Sequence, residues 1–165
     1  MGRWLSRLSA IALAVGLLAA PAVQASNGTD ESALAGVRQA TDAFHNLDAA
    51  VAAGYNPLLA CFDLPGVGGM GQHYVNTSLL DATVEANRPE ALVYEVDGSR
   101  LQLVAVEYIV PWSAWVSTDA PQLYGQSFIR VDSLHLWALH AWIWRPNPLG
   151  MFASYNPSVK LCPGH

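Results

Sequence analysis

Apolar positions recur along residues 31–53 at Leu34, Val37, Phe44, Leu47 and Val51. Their spacings of three, four and seven place them on one stripe of an amphipathic helix. Asp30 or Ser32 can cap its start, and Gly54 stands where such a helix would stop. Residues 54–71 then read as a glycine- and proline-rich loop. The clearest local structure follows, two alternating apolar runs around Asp97-Gly98, which predict a β-hairpin. With Asp97 and Gly98 as its loop residues, Glu95 would face Arg100 on the wetter side. Glu107 would share a face with Leu101, Leu103, Ala105 and Ile109, beside Tyr94 and Leu92.

An edge strand is expected from Pro111 through Trp112 and Trp115, and a short strand at residues 126–131. The most apolar stretch after the N-terminal leader is residues 134–144, LHLWALHAWIW, closed by the turn signal Arg145-Pro146-Asn147-Pro148. Its periodicity fits a buried strand or a short buried helix, with aromatic content favouring the strand. As a strand it carries Leu136, His140, Trp142 and Trp144 on one face and His135, Trp137 and Ile143 on the other. His135 and His140 therefore cannot serve one ion as a local pair. This order of elements predicts an α+β fold, an N-terminal amphipathic helix packed on a curved, mainly antiparallel sheet or partial barrel.

Residues 1–25 have the layout of a secretory signal peptide: Arg3 and Arg7, an apolar core at residues 11–20, and the small-residue site Val23-Gln24-Ala25. Residues 26–30 read as a short linker and residues 31–165 as a single domain. The expected location is periplasmic or extracellular, with no stable membrane anchor once the signal is cleaved. Removing the leader leaves six basic residues against thirteen acidic ones, so the net charge moves from −5 to −7. That balance argues against nucleic acid as a partner. Cys61 and Cys162 are the only cysteines, and in an oxidising compartment they predict one disulfide tying the tail to the early part of the fold.

HExxH, GxSxG and CxxC are all missing from the chain. Gly66, Gly68 and Gly71 match GxGxxG, but without a preceding strand and a following helix they point to tight turning or close backbone approach. Chemistry is instead suggested by polar residues in segments that otherwise read as core. His73 follows the glycine-rich bend, Glu107 lies in a hairpin strand, and His140 lies in the apolar run. Together they make a candidate three-ligand set for one transition-metal ion, zinc, iron or copper. Tyr74, Tyr108, Trp112, Trp142 and Trp144, with Trp115, are candidates to line a pocket for a small organic molecule. The alternative for all of these residues is purely structural hydrogen bonding and core packing.

Residues 67–76 (VGGMGQHYVN), 88–95 (RPEALVYE), 106–110 (VEYIV) and 139–147 (LHAWIWRPN) resemble a family of small exported bacterial proteins of uncharacterised function. So do the Asn147-Pro-Leu-Gly-Met-Phe turn, Asn156-Pro157 and Cys162. The resemblance spans nearly all of the chain after the leader and implies a bacterial origin, without an activity. The expectation is thus an exported domain that holds a small ligand or metal ion in an interior pocket. A mononuclear metal-dependent enzyme using His73, Glu107 and His140 is the first alternative, and a structural or protein-interaction domain the second.

Overall fold

A computed structural model describes residues 27–164, so the leader expected at residues 1–25 lies outside the described residues. The fold is mixed α+β. Helix α1 spans Asn27–Thr41 and α2 spans Leu47–Ala52, joined by a 3-10 turn at Asp42–His45. The helix thus begins at Asn27, inside the stretch expected as a linker, where Asp30 and Glu31 are residue types that suit a first turn. The single helix expected over residues 31–53 is broken at Asn46, whose extended backbone and side chain, accepting from Asp48 N–H, start α2 afresh. The break rotates Val51 out to solvent, whereas Leu34 and Val37 are buried. Gly54, at φ +96°, ends α2 with hydrogen bonds from its own N–H to Val51 and from Tyr55 N–H to Ala50.

The strands are β1 (Asn56–Pro57), β2 (Phe62–Leu64), β3 (Gly68–Val75), β4 (Ala91–Asp97) and β5 (Arg100–Pro111). They continue with β6 (Gln122–Leu123), β7 (Gln126–Ser127), β8 (Ile129–Val131) and β9 (Leu136–Ala141). All pairings are antiparallel, in the order β1-β3-β4-β5-β9-β8, with β2 also lying along β3 and β6–β7 forming a separate ribbon. The sheet is open. Of residues 134–144 only the middle is strand, β9, set between β5 and β8; Leu134 ends a 3-10 turn, His135 is left-handed and the chain bends after Ala141. The edge strand expected after Pro111 is replaced by a turn in which Ala114 and Trp115 N–H donate to the Pro111 carbonyl.

One face of the sheet carries Tyr74, Leu92, Tyr94, Leu103, Val106 and Tyr108, clustered with Leu34 and Val37 of α1. Val93, Val104, Ala105 and Trp142 pack together on the other. The hairpin does not have the expected register. Asp97 pairs with Arg100 across Gly98-Ser99, and the pairing shifts by one residue between Val93–Ala105 and Tyr94–Leu103. This bulge at Val104 reverses the alternation along β5. Glu107 therefore lies beside Ala91 and His140, not with Leu92, Tyr94, Leu101 and Leu103 as expected. The Val104 carbonyl accepts from both Trp144 and Arg145 N–H, so the bulge is anchored by the segment after β9. Arg145 is also the partner of Glu95, at 2.7 Å. Glu95 is buried and accepts from Lys160 N–H at 2.8 Å, so it holds the tail and does not pair with Arg100 on a wet surface.

The glycine-rich segment expected as a loop over residues 54–71 carries β1, β2 and the start of β3, because Phe62–Leu64 folds back to pair with Gly68–Gly71, and the tail also lies against Gly69. Asn156 N–H donates to Gly69 O at 2.9 Å, and the disulfide Cys61–Cys162 closes the same contact with a Cα–Cα distance of 5.8 Å. Gly71 has φ +107°, and a Cβ there would stand 2.6 Å from the Tyr94 carbonyl oxygen. Gly71→Ala is expected to cost about 1–3 kcal/mol from backbone strain alone. The check is a urea unfolding curve whose midpoint falls while its slope is unchanged.

Candidate metal centre

Three strands supply one buried polar side chain each. His73 comes from β3, Glu107 from β5 and His140 from β9, and their exposures are 2%, 7% and 3%. Glu107 and His140 are directly opposite across the β5–β9 pair. His73 is opposite Val93 and must reach across β4 to join them. It can do so because Ala91, opposite Glu107, presents only a methyl group on that face.

The contacts close a triangle. His73 Nε2 lies 3.3 Å from His140 Nε2 and 3.4 Å from Glu107 Oε2, and His140 Nδ1 lies 3.3 Å from Glu107 Oε1. One donor atom from each of the three lies within 4.8 Å of the others. Two neighbours fix the rings. Phe62 meets His73 edge-on at 5.6 Å, and Trp142 stacks on His140 at 6.0 Å while its Nε1–H donates to Ala153 O.

Burial decides the charge state. It pushes both histidines well below their ordinary value, His140 further because His73 faces it. It also raises the Glu107 carboxyl, helped by the buried Glu90 nearby. The trio is therefore two neutral imidazoles and a carboxylic acid, and its close contacts are not ion pairs. Nδ1 of both histidines is buried without a hydrogen-bond partner. The backbone at Gly71 favours the charged form of His73, yet it offers Nδ1 no bond of sound geometry.

The triad lines a cavity of about 230 Å³. Its walls are apolar, with Leu59, Phe62 and Met70 on the side held by the disulfide and Ile109, Ile129 and Leu136 on the other. Tyr155 of the tail completes it. Of the aromatic residues considered for a pocket from sequence, none lines it, and only Trp142 touches the triad. Tyr74 packs on Tyr94, and Tyr108 donates to Ala86 O, both on the helix-side face. Trp112 sits under Arg130 beside His135, Trp115 bonds Asp119 O, and Trp144 bonds Thr41 and meets the exposed His45. Alternation along β3 puts Tyr74 on the opposite face from His73, the bulge does the same for Tyr108, and the bend after Ala141 carries Trp144 away from the triad. Tyr155 and Leu59 were missed, although the disulfide foretold that the tail and the glycine-rich segment lie together.

Compared with protein-family models, curated proteins and solved structures, the chain matches none.

The charge states set how the metal-free protein responds to pH. Glu107 is pushed up from 4.5 to about 8, so between these values the folded chain keeps a proton that the unfolded chain releases. Its contribution to stability falls as pH rises through that window, and above pH 6.5, where the histidines no longer oppose it, the fold weakens towards alkaline pH. The histidines are pushed down from 6.5 to about 4 and about 3, so their contribution falls as pH drops below 6.5. Glu107→Gln is expected to remove its share of the alkaline loss and leave the acid-side loss in place. Urea midpoints of both metal-free proteins across pH check this; identical profiles would contradict it.

Proposed function

We propose that the protein binds one transition-metal ion through His73, Glu107 and His140, and that the open side of this centre serves a small molecule in the adjoining cavity. The observation that carries the reading is the convergence of three buried donor atoms from three separate strands. Donors held 2.0–2.1 Å from a tetrahedral ion stand about 3.3 Å apart. The separations of 3.3 and 3.4 Å from His73 Nε2 to His140 Nε2 and Glu107 Oε2 fit that arrangement, and the full donor set lies within 4.8 Å. A trio that served only to bond strands together would be expected to satisfy its buried nitrogens, and His73 Nδ1 has no hydrogen bond while His140 Nδ1 only approaches Glu107 Oε1 without hydrogen-bond geometry.

Two imidazoles and one carboxylate suit zinc, iron(II) or copper and leave positions for water or substrate. The neutral histidines are ready to ligate, so only the Glu107 proton has to leave. This favours a mononuclear metal-dependent enzyme over a passive binding module, because an interior cavity meets the centre. The same reading takes the helical segment as the cover of one face of a curved sheet. It takes the protein as exported, supported by the leader-like residues 1–25 and the disulfide.

Elemental analysis of protein purified from an oxidising compartment without a histidine tag tests the proposal. One metal per chain is expected in the wild type, and loss of stoichiometric metal in His73→Ala and His140→Ala with circular dichroism unchanged. A wild type that takes up no zinc, copper or iron(II) on addition would overturn it and leave a hydrogen-bonded trio.

A further inference from the structure

The cavity restricts what can occupy it. Its volume of about 230 Å³ is roughly one and a half times the ~150 Å³ apolar cavity that admits benzene in an engineered protein core. Among the described residues beyond the triad, Ser133 and Tyr155 alone bring side-chain hydroxyls to its lining, and no lysine or arginine reaches it. A sugar or polyol would leave most of its hydroxyls unpaired on aliphatic walls. A phosphate or dicarboxylate could bring one anionic oxygen to the triad, but its remaining charge would lie on aliphatic walls with no lysine or arginine among the described residues to meet it.

The rim gives the direction of entry. Ile129, on the edge strand β8, and Leu134, in the turn before β9, both line the cavity and are 47% and 40% exposed. An apolar mouth therefore opens at one side, with the cluster of metal-type donors found among the described residues within.

We infer that the cavity takes a small, neutral or singly charged organic molecule with an apolar body of one to two rings and a single oxygen or sulfur donor. The donor is directed at the His73, Glu107 and His140 end. The apolar body follows from the walls alone, whereas the placement of the donor rests on the metal reading above. Burial of a ring-sized body against such walls supplies affinity, and the single donor supplies orientation.

Titration calorimetry of native protein, with and without one equivalent of zinc, tests this with three probes. They are 4-ethylphenol, ethylbenzene, which keeps the body and lacks the donor, and myo-inositol, a polar molecule of similar size. The expected result is 4-ethylphenol binding tenfold or more tighter to the zinc form, ethylbenzene binding both forms alike, and inositol binding neither. Ile129→Asp and Leu134→Asp, at exposed positions that leave the fold intact, should each weaken both aromatic probes tenfold while zinc is still bound. Zinc-loaded protein that binds neither aromatic, or binds inositol as well, overturns the cavity inference and leaves the metal reading standing. Protein that takes no zinc yet binds both aromatics alike overturns the metal reading and the placement of the donor with it.

Discussion

Between Tyr94–Leu103 and Val93–Ala105 the β4–β5 pairing slips by one residue, and that slip determines which side of the sheet Glu107 faces. Alternation continued from the hairpin end would place it with Leu92 and Tyr94, in the core beneath α1. The extra residue, Val104, turns it instead towards the side on which His73 and His140 stand. The bulge persists because its carbonyl is claimed twice, by Trp144 and Arg145. Arg145 in turn holds Glu95, which holds the backbone of Lys160. The bend after β9, the buried ion pair and the tail thus act on the triad through one peptide unit.

Three ionisable side chains in so dry a setting would be costly if charged, and burial keeps them neutral. Neutrality leaves unmet hydrogen-bonding capacity at both Nδ1 atoms. Burying polar groups in this state opposes folding, and a sheet with alternating small residues such as Ala91 and Ala105 had room for aliphatic side chains in their place. The arrangement is therefore easier to account for by what it can bind than by what it adds to stability.

Much of this was legible beforehand. His73, Glu107 and His140 stood out because each is polar within a run that otherwise reads as core, and that mismatch survives folding. The disulfide followed from cysteine count, and the hairpin from Asp97-Gly98. What could not be read is what depends on register. Glu95 was assigned the wrong neighbour because the turn closes over Gly98-Ser99, one residue later than expected, and Glu107 because a bulge has no marker in a run such as Leu-Val-Ala-Val. The helix break at Asn46 was equally hidden, because Asn tolerates a helix interior as well as capping its start. Tryptophan content suggested an aromatic pocket, yet four of the six residues considered spend their polar groups on hydrogen bonds to other parts of the fold. The actual walls come from aliphatic side chains far apart in sequence, and no local pattern marks those.

The three donors stand 34 and 33 residues apart, on strands that become neighbours only when the sheet is nearly whole. A chain with a chelating pair on adjacent helix turns can capture an ion while still unfolded, which weakens the linkage between binding and folding. Here no such partial grip exists. Capture of an ion must wait for tertiary assembly, and its full binding energy then favours the folded form. Were the triad to take an ion, its identity would accordingly be set by the metals present wherever the chain completes its fold.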